Sequence, residues 1–297
     1  MTRFMFLEIP KQFNLRRTLY SHGWSELLPF EIDDVNWRLS YVFSGADLKQ
    51  PVSATVSEAD GKLKIEVSGG KISLMAQEKI LRDARHILRL DDDLNEFYKL
   101  VKPEKDLAWV AENNAGRLLR SPTVFEDLVK TLCTTNCNWA MTKKMTANLV
   151  AKLGEPAKDG KRAFPTAEAM ANQPVEFYKD EIRAGYRAPY FRELAEKVAA
   201  GELNPEAWLD TDLPTPELKK EMKRVKGVGD YAAENLIKLV GRYDGLALDS
   251  WLRSQFYKKH NAAVTCDDKH IKRHYDRFGA WRGLVMWCDM TRRWLDD

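Results

Sequence analysis

The spacing of apolar positions changes along this chain. Up to about residue 70 they alternate: Trp37 to Phe43 (WRLSYVF), Val52 to Val56 and Leu63 to Val67 (LKIEV) place apolar side chains at the period of a half-buried strand. Ser57 to Gly61 fits a hairpin loop between the last two, and Gly69-Gly70 ends the pattern. A helical segment follows from about Ala76 to Leu88, and Leu90-Asp91-Asp92-Asp93-Leu94 opens another. The acidic run Asp91 to Asp93 reads as a helix start, with carboxylates near the positive end of the helix, in preference to a metal site. From Asp106 onward the spacing is helical throughout. The pattern predicts an α+β fold, with a small N-terminal antiparallel sheet domain plus helices over residues 1–105 and an all-helical part over residues 106–297.

The most informative stretch runs from Thr215 to Arg253. Thr215 can cap a helix and Pro216 suits the first helical position, while Leu218, Met222 and Val225 recur on one face opposite a Lys-rich one. Lys226-Gly227-Val228-Gly229-Asp230 makes a tight turn. A second helix follows, with Ala232, Ala233, Leu236, Ile237 and Val240 on its buried side and Gly241 as its stop, so residues 215–241 form a helical hairpin. Bare N–H groups at a helix start attract phosphate, and Lys219, Lys220, Lys223, Arg224 and Lys226 add positive potential. Such a contact holds a nucleic-acid backbone without reading a base. An ordinary hairpin with a solvated basic face has the same pattern. Beyond it, Leu246-Ala247-Leu248 runs into Asp249 and the helix start Ser250-Trp251-Leu252-Arg253, a loop over 246–253. Position alone makes Asp249 an N-cap; one hairpin from a phosphate anchor, its carboxylate can also face a sugar carbon whose bond to a base is breaking.

Composition narrows the class. The chain has 297 residues, 44% hydrophobic and 31% charged, enough for two or three modest domains, and no apolar run approaches a membrane span. A net charge of +3 is too small to argue for nucleic acid by itself, but the basic residues cluster at the hairpin. Cys133, Cys137, Cys266 and Cys288 form no CxxC pair and no secretion signal precedes them, so reduced thiols and a cytoplasmic location (nucleoid-associated, or nuclear in a eukaryote) are expected.

The GVG turn, the amphipathic helix and the apolar run ending in Asp together resemble the helix-hairpin-helix (HhH-GPD) DNA glycosylase superfamily, including its 3-methyladenine and 8-oxoguanine branches. The resemblance covers most of the chain from about Leu74 and is sharpest at residues 116–139, 184–190 and 225–253. It implies a helical core of two subdomains that clasps double-stranded DNA containing a damaged base, acting as a monomer. By motif, Asp249 takes the catalytic place. Gly227, Val228 and Gly229, helped by Lys220 and Lys226, take the place that grips a DNA phosphate, often with a monovalent cation on the hairpin backbone carbonyls. Asn136 falls where the family inserts a loop near the flipped nucleotide, and Tyr186 and Arg187 of the GYRA segment fall where a Tyr wedges into the base stack and an Arg follows the strand. For Tyr186 the residues alone favour burial. Most of the stripe Leu284, Trp287, Met290 and Trp294 reads as core, with Trp287 as a candidate wall of the base pocket.

Three departures shape the expected chemistry. Met141 stands where the 8-oxoguanine enzymes carry an Arg that reads the orphaned cytosine, and Met cannot donate those hydrogen bonds. Tyr231 stands two residues past the GVG motif, where the bifunctional relatives keep the Schiff-base lysine; an aromatic there resembles the alkylpurine branch and suits a cationic base. Only Cys266 and Cys288 lie beyond Asp249, so no iron-sulfur cluster, other cofactor or side-chain metal site is expected. The expected function is a monofunctional glycosylase of base excision repair, with Asp249 stabilising the oxocarbenium-like sugar and alkylated purine as first substrate. An 8-oxoguanine glycosylase of the same superfamily is the alternative, as is a catalytically silent DNA-binding module. Lys220 and Lys226 are read as backbone contacts and not as substitute amines.

Overall fold

In the computed structural model, which describes residues 3–68 and 72–295 apart from the side chains of Arg293 and Leu295, the N-terminal part is one five-stranded antiparallel sheet. Its strands are β1 (Arg3–Glu8), β2 (Glu31–Asp33), β3 (Arg38–Phe43), β4 (Val52–Ala59) and β5 (Lys62–Val67), in the order β1-β5-β4-β3-β2. The alternation sets the register: Val56 faces Ile65, Tyr41 faces Ala54, and these side chains point to one buried face while Lys62, Lys64 and Glu66 stay outside it. β4 runs further than expected. Asp60 and Gly61, with φ of 52° and 72°, make a two-residue turn whose twist matches the strands, so the hairpin loop is shorter than Ser57–Gly61. β1 and the three-residue β2 were absent from the sequence reading, and the Gly69-Gly70 break lies outside the described residues.

Ser73 caps the helix Leu74–Ile87, whose Ile80, Ala84 and Ile87 close the sheet's apolar face. The acidic run after it divides its work. Asp93 accepts from the Asn95 amide at the start of the helix Asn95–Val101, as a helix start should, whereas Asp92 is spent on the fully buried Arg89 at 2.9 Å. Arg89 also donates to the carbonyls of Leu118, Lys238 and Leu239, fastening the end of the second hairpin helix to the sheet domain.

The helical residues form two further cores. One gathers Val124–Val240, including the helices Val124–Thr134, Trp139–Leu153 and Ala188–Ala199 and both hairpin helices; the other joins Leu94–Leu118 to Tyr243–Met290. A cleft remains where these cores meet the sheet domain. No described helix is long and apolar enough to cross a membrane.

Candidate functional site

The hairpin forms as the periodicity predicts, with Leu218, Met222, Ala233 and Leu236 fully buried. Its first helix is Thr215–Met222, so Thr215 is itself helical and Pro214 holds the cap position without a side-chain bond. The second is Asp230–Leu239, with Gly229 at its cap and Gly241 in the left-handed conformation just past its end. The two turn glycines differ. Gly227 has φ +90°, and a Cβ there would lie 2.6 Å from the Tyr190 ring and 3.0 Å from a Leu132 methyl; Gly229 is exposed and a Cβ there would meet nothing within 4 Å. Gly227→Ala is therefore expected to lower stability by about 1–3 kcal/mol in urea unfolding, with Gly229→Ala near wild type. Equal losses at both positions would contradict this division.

The basic face is more balanced than its composition implies. Lys219 bonds Glu234, Lys223 bonds Asp230, Lys220 bonds Glu217, Arg224 bonds Glu221 and Lys226 bonds Glu193. The exposed pairs are weak, so this face keeps little net positive charge, and the turn at Gly229 is exposed beside it.

Asp249 satisfies both readings of its position. It is the N-cap of the helix Ser250–His260, where Oδ1 accepts from the Leu252 amide at 2.7 Å, and it also lines the cleft. The cap occupies one oxygen, leaving Oδ2 for chemistry. Glu234 holds the loop in front of it by accepting from the Ala247 amide at 2.6 Å, with Ala247 itself at φ 51°. Gly283 permits the next contact: its amide donates to the Tyr243 carbonyl at 2.7 Å, and a Cβ there would fall 2.0 Å from the Gly245 carbonyl oxygen. This close approach sets the helix Arg282–Thr291, which carries Trp287, against the loop leading to Asp249.

The cleft has a volume of about 640 Å³, a size that suits one flat heteroaromatic ligand. Tyr231, Asp249 and Trp287 all line it. Burial first, and the Asp249 carboxylate next, push the Tyr231 phenol up to about 12. The Trp287 indole is fixed by donating to the Ser21 carbonyl at 2.7 Å. Trp251 and Trp294 complete an aromatic cluster, with ring centroids 6.5 and 5.4 Å from Trp287. Both are more than a third exposed, so Trp294 is wall, while Leu284 and Met290 of the same stripe are buried. His22, Asn235 and Lys238 are among the lining residues that escaped the sequence reading. His22 comes from the sheet domain; burial pulls its imidazole down to about 4, and neutral His22 donates from Nε2 to the Leu119 carbonyl. Asn235 and Lys238 follow Tyr231 at the helical spacings i+4 and i+7, the one signal that could have found them.

Beside the cleft, the structure brings Asn136 and Tyr186 together, as Asn136 Nδ2 donates to the Tyr186 hydroxyl at 3.1 Å. Tyr186 is 52% exposed on a turn whose Gly185 has φ +58°, so the burial favoured by the residues alone does not occur. Arg187 departs from its expected place along a DNA strand. It is 6% exposed, donates to the Thr135 hydroxyl at 3.1 Å and to the Thr135 and Ala184 carbonyls, and lies against the Tyr186 ring. Its guanidinium braces the two loops that present Asn136 and Tyr186. The two adjacent motif residues differ in burial, Tyr186 exposed and Arg187 enclosed beneath its ring, which sequence order cannot reveal.

Among the described residues, His260, His274 and Asp289 have ligand atoms within 4.8 Å of one another. Asp289 already accepts from Lys259 on one oxygen and from His260 and Tyr275 on the other, which holds its carboxyl down at about 2 against burial. The cluster reads as a buried hydrogen-bond knot tying the helices Ser250–His260 and Arg282–Thr291 together, since a cation would have to displace the Lys259 ammonium.

Comparison with known proteins agrees with this architecture. The family model for the HhH-GPD superfamily base excision DNA repair protein matches residues 129–284. An N-glycosylase/DNA lyase of Saccharomyces cerevisiae is 22% identical over 204 residues, which are 65% of this chain and 54% of that protein, so the chain spans about half the length of this relative. Among solved structures, MBOgg1 in complex with a low affinity DNA ligand superposes with a TM-score of 0.77 at 20% identity, covering 99% of this chain and 96% of that one. The 3-methyladenine DNA-glycosylase from Archaeoglobus fulgidus gives 0.76 at 19% identity, covering 97% and 98%. At these identities the structural likeness shows the fold.

Proposed function

The chain belongs to the HhH-GPD superfamily of base excision DNA repair proteins, and from that premise we propose that it is a monofunctional DNA glycosylase that extrudes a damaged purine from duplex DNA and hydrolyses its N-glycosidic bond. The observation that carries the reading is Asp249, a carboxylate with one oxygen on a helix cap and the other available, in an aromatic-walled cleft one hairpin from an exposed glycine turn. The glycosidic bond is inaccessible in the stack, so the base must leave the duplex. The hairpin turn of Gly227 and the exposed Gly229 holds the backbone, Tyr186 and Asn136 enter the gap, and the rings of Tyr231, Trp251, Trp287 and Trp294 receive the base. As positive charge develops on the sugar, the fixed carboxylate of Asp249 stabilises it and orients the attacking water.

Tyr231 supports hydrolysis without strand cleavage. A phenol held near 12 is neither an amine nor a ready nucleophile, so no Schiff base forms at that position. On a duplex carrying one lesion, the strand is expected to break only after hot alkali, and borohydride to trap no covalent complex. Cleavage without alkali together with a trapped adduct would overturn the monofunctional reading. The ring cluster alone suits an alkylated purine, as expected from Tyr231. One observation favours the second reading, an oxidised purine, and that is the amine of Lys238.

A further inference from the structure

Lys238 is a polar group in the cleft that the proposed chemistry does not use. Tyr231, Asn235 and Lys238 share one face of the helix Asp230–Leu239, and Lys238 lies about 10 Å further from the GVG turn than Tyr231. In the proposed complex the turn faces the DNA backbone, so Lys238, further along the helix and 2% exposed, belongs to the deep end of the cleft, where the base would rest.

The amine is short of partners. Lys238 is 2% exposed, yet among the described residues the hydrogen bond its amine makes is a long one, 3.4 Å from Nζ to the Leu246 carbonyl, and the Trp287 ring centroid is 5.4 Å away. An ammonium has three N–H donors, so the capacity for two more remains. Of the carboxylates that face it, Glu234 is engaged on Lys219 and the Ala247 amide, and Asp249 has one oxygen on the Leu252 amide. Cys288 faces it from the helix Arg282–Thr291 and His22 senses its charge from the sheet domain, while Arg89 holds its own carbonyl oxygen. A buried amine with no contacting counter-charge is costly, and a ligand that accepts its hydrogen bonds removes that cost. Burial lowers the ammonium to about 8 while Glu234, Asp249 and Cys288 pull the other way, so it is mostly charged at neutral pH.

We propose that Lys238 reads the extruded base, donating from its ammonium to a carbonyl oxygen or unprotonated ring nitrogen on the purine edge, and so selects a neutral, carbonyl-bearing oxidised purine over a cationic alkylated one. The proposal rests on the glycosylase reading above. An aromatic wall attracts both classes of base, but a charged amine in a dry cleft repels a cationic ring and pairs with a neutral acceptor. A nucleophilic role at the sugar is a different use of the same amine, and the test separates the two.

The test compares base release by the wild type, Lys238→Met and Lys238→Gln from duplexes containing 8-oxoguanine or 7-methylguanine. Methionine is close to lysine in length and introduces no buried donor, so the fold is expected to persist, which thermal unfolding checks. The ratio of kcat/KM for 8-oxoguanine to that for 7-methylguanine is expected to favour 8-oxoguanine in the wild type and to fall about 10–100-fold in both variants. Equal losses on both bases would overturn the proposal, as would a borohydride-trapped adduct of the wild type that disappears in Lys238→Met. Release of neither base by the wild type, with tight binding to both duplexes, would instead remove the glycosylase reading itself.

Discussion

Asp249→Asn is expected to reduce single-turnover base release at least about 10³-fold while leaving the protein folded. The two parts separate because Asp249 has two tasks. As N-cap its Oδ1 accepts from the Leu252 amide, and Asn caps about as well as Asp, so stability should hold within about 0.5 kcal/mol. The amide carries no negative charge to oppose a developing oxocarbenium ion, so the electrostatic task is lost. Asp249→Ala loses both, and should unfold about 1 kcal/mol more readily as well as failing to release base. Urea unfolding and single-turnover kinetics on the same preparations check this. An Asn variant that keeps wild-type release would place the chemistry on another group, and one that is inactive only because it is unfolded would reduce Asp249 to its cap.

The second large effect lies far from the chemistry. On the helix Val124–Thr134, Glu126 and Lys130 are 3% and 0% exposed and ion-paired at 2.7 Å, and the Tyr41 hydroxyl from β3 donates to the other Glu126 oxygen at 2.6 Å. Lys130 also sits 4.4 Å from the Phe30 ring centroid, so the trio is the buried polar joint between sheet and helical core. Next to it, Asp127 accepts from the Trp24 indole and the Ser121 amide, and burial still pushes its carboxyl up to about 6. Glu126→Gln leaves the Lys130 ammonium without its paired carboxylate in a dry site, and is expected to destabilise by about 3–5 kcal/mol. Replacing the whole trio, Tyr41→Phe with Glu126→Leu and Lys130→Met, should recover most of that loss, because the cost comes from the stranded charge more than from the missing pair. Urea midpoints of the single and triple variants decide; a triple variant less stable than the single one would show that the pair itself stabilises the fold.

These two sites mark what the sequence could and could not carry. Strands β3 to β5 and both hairpin helices were legible because apolar burial on the core face writes a regular period into the chain, even where, as at Val42 and Lys238, another face is covered too. β2 has three residues, too few for a period, and β1 was hidden by its distance in sequence from its partner β5. Asp249 could be placed because its loop is continuous with the hairpin. Lys238 could not: a single lysine on an amphipathic helix ordinarily marks the solvated face, and only the tertiary arrangement turns that face toward Trp287 and the cleft. Arg187 shows the converse error, a basic residue in a DNA-contact motif whose donors fold back onto Thr135. The joint of Tyr41, Glu126 and Lys130 depends on the meeting of residues 85 positions apart, which no local pattern encodes.

The most direct measurement of the central claim is the identification by mass spectrometry of what leaves a lesion-containing duplex incubated with the wild type and with Asp249→Asn. The account predicts a free damaged purine from the wild type, an intact sugar-phosphate strand until alkali is added, and no free base from the Asn variant. A duplex that is bound tightly by both proteins and releases no base from either would contradict it, leaving a hairpin that holds DNA and a carboxylate that only caps a helix.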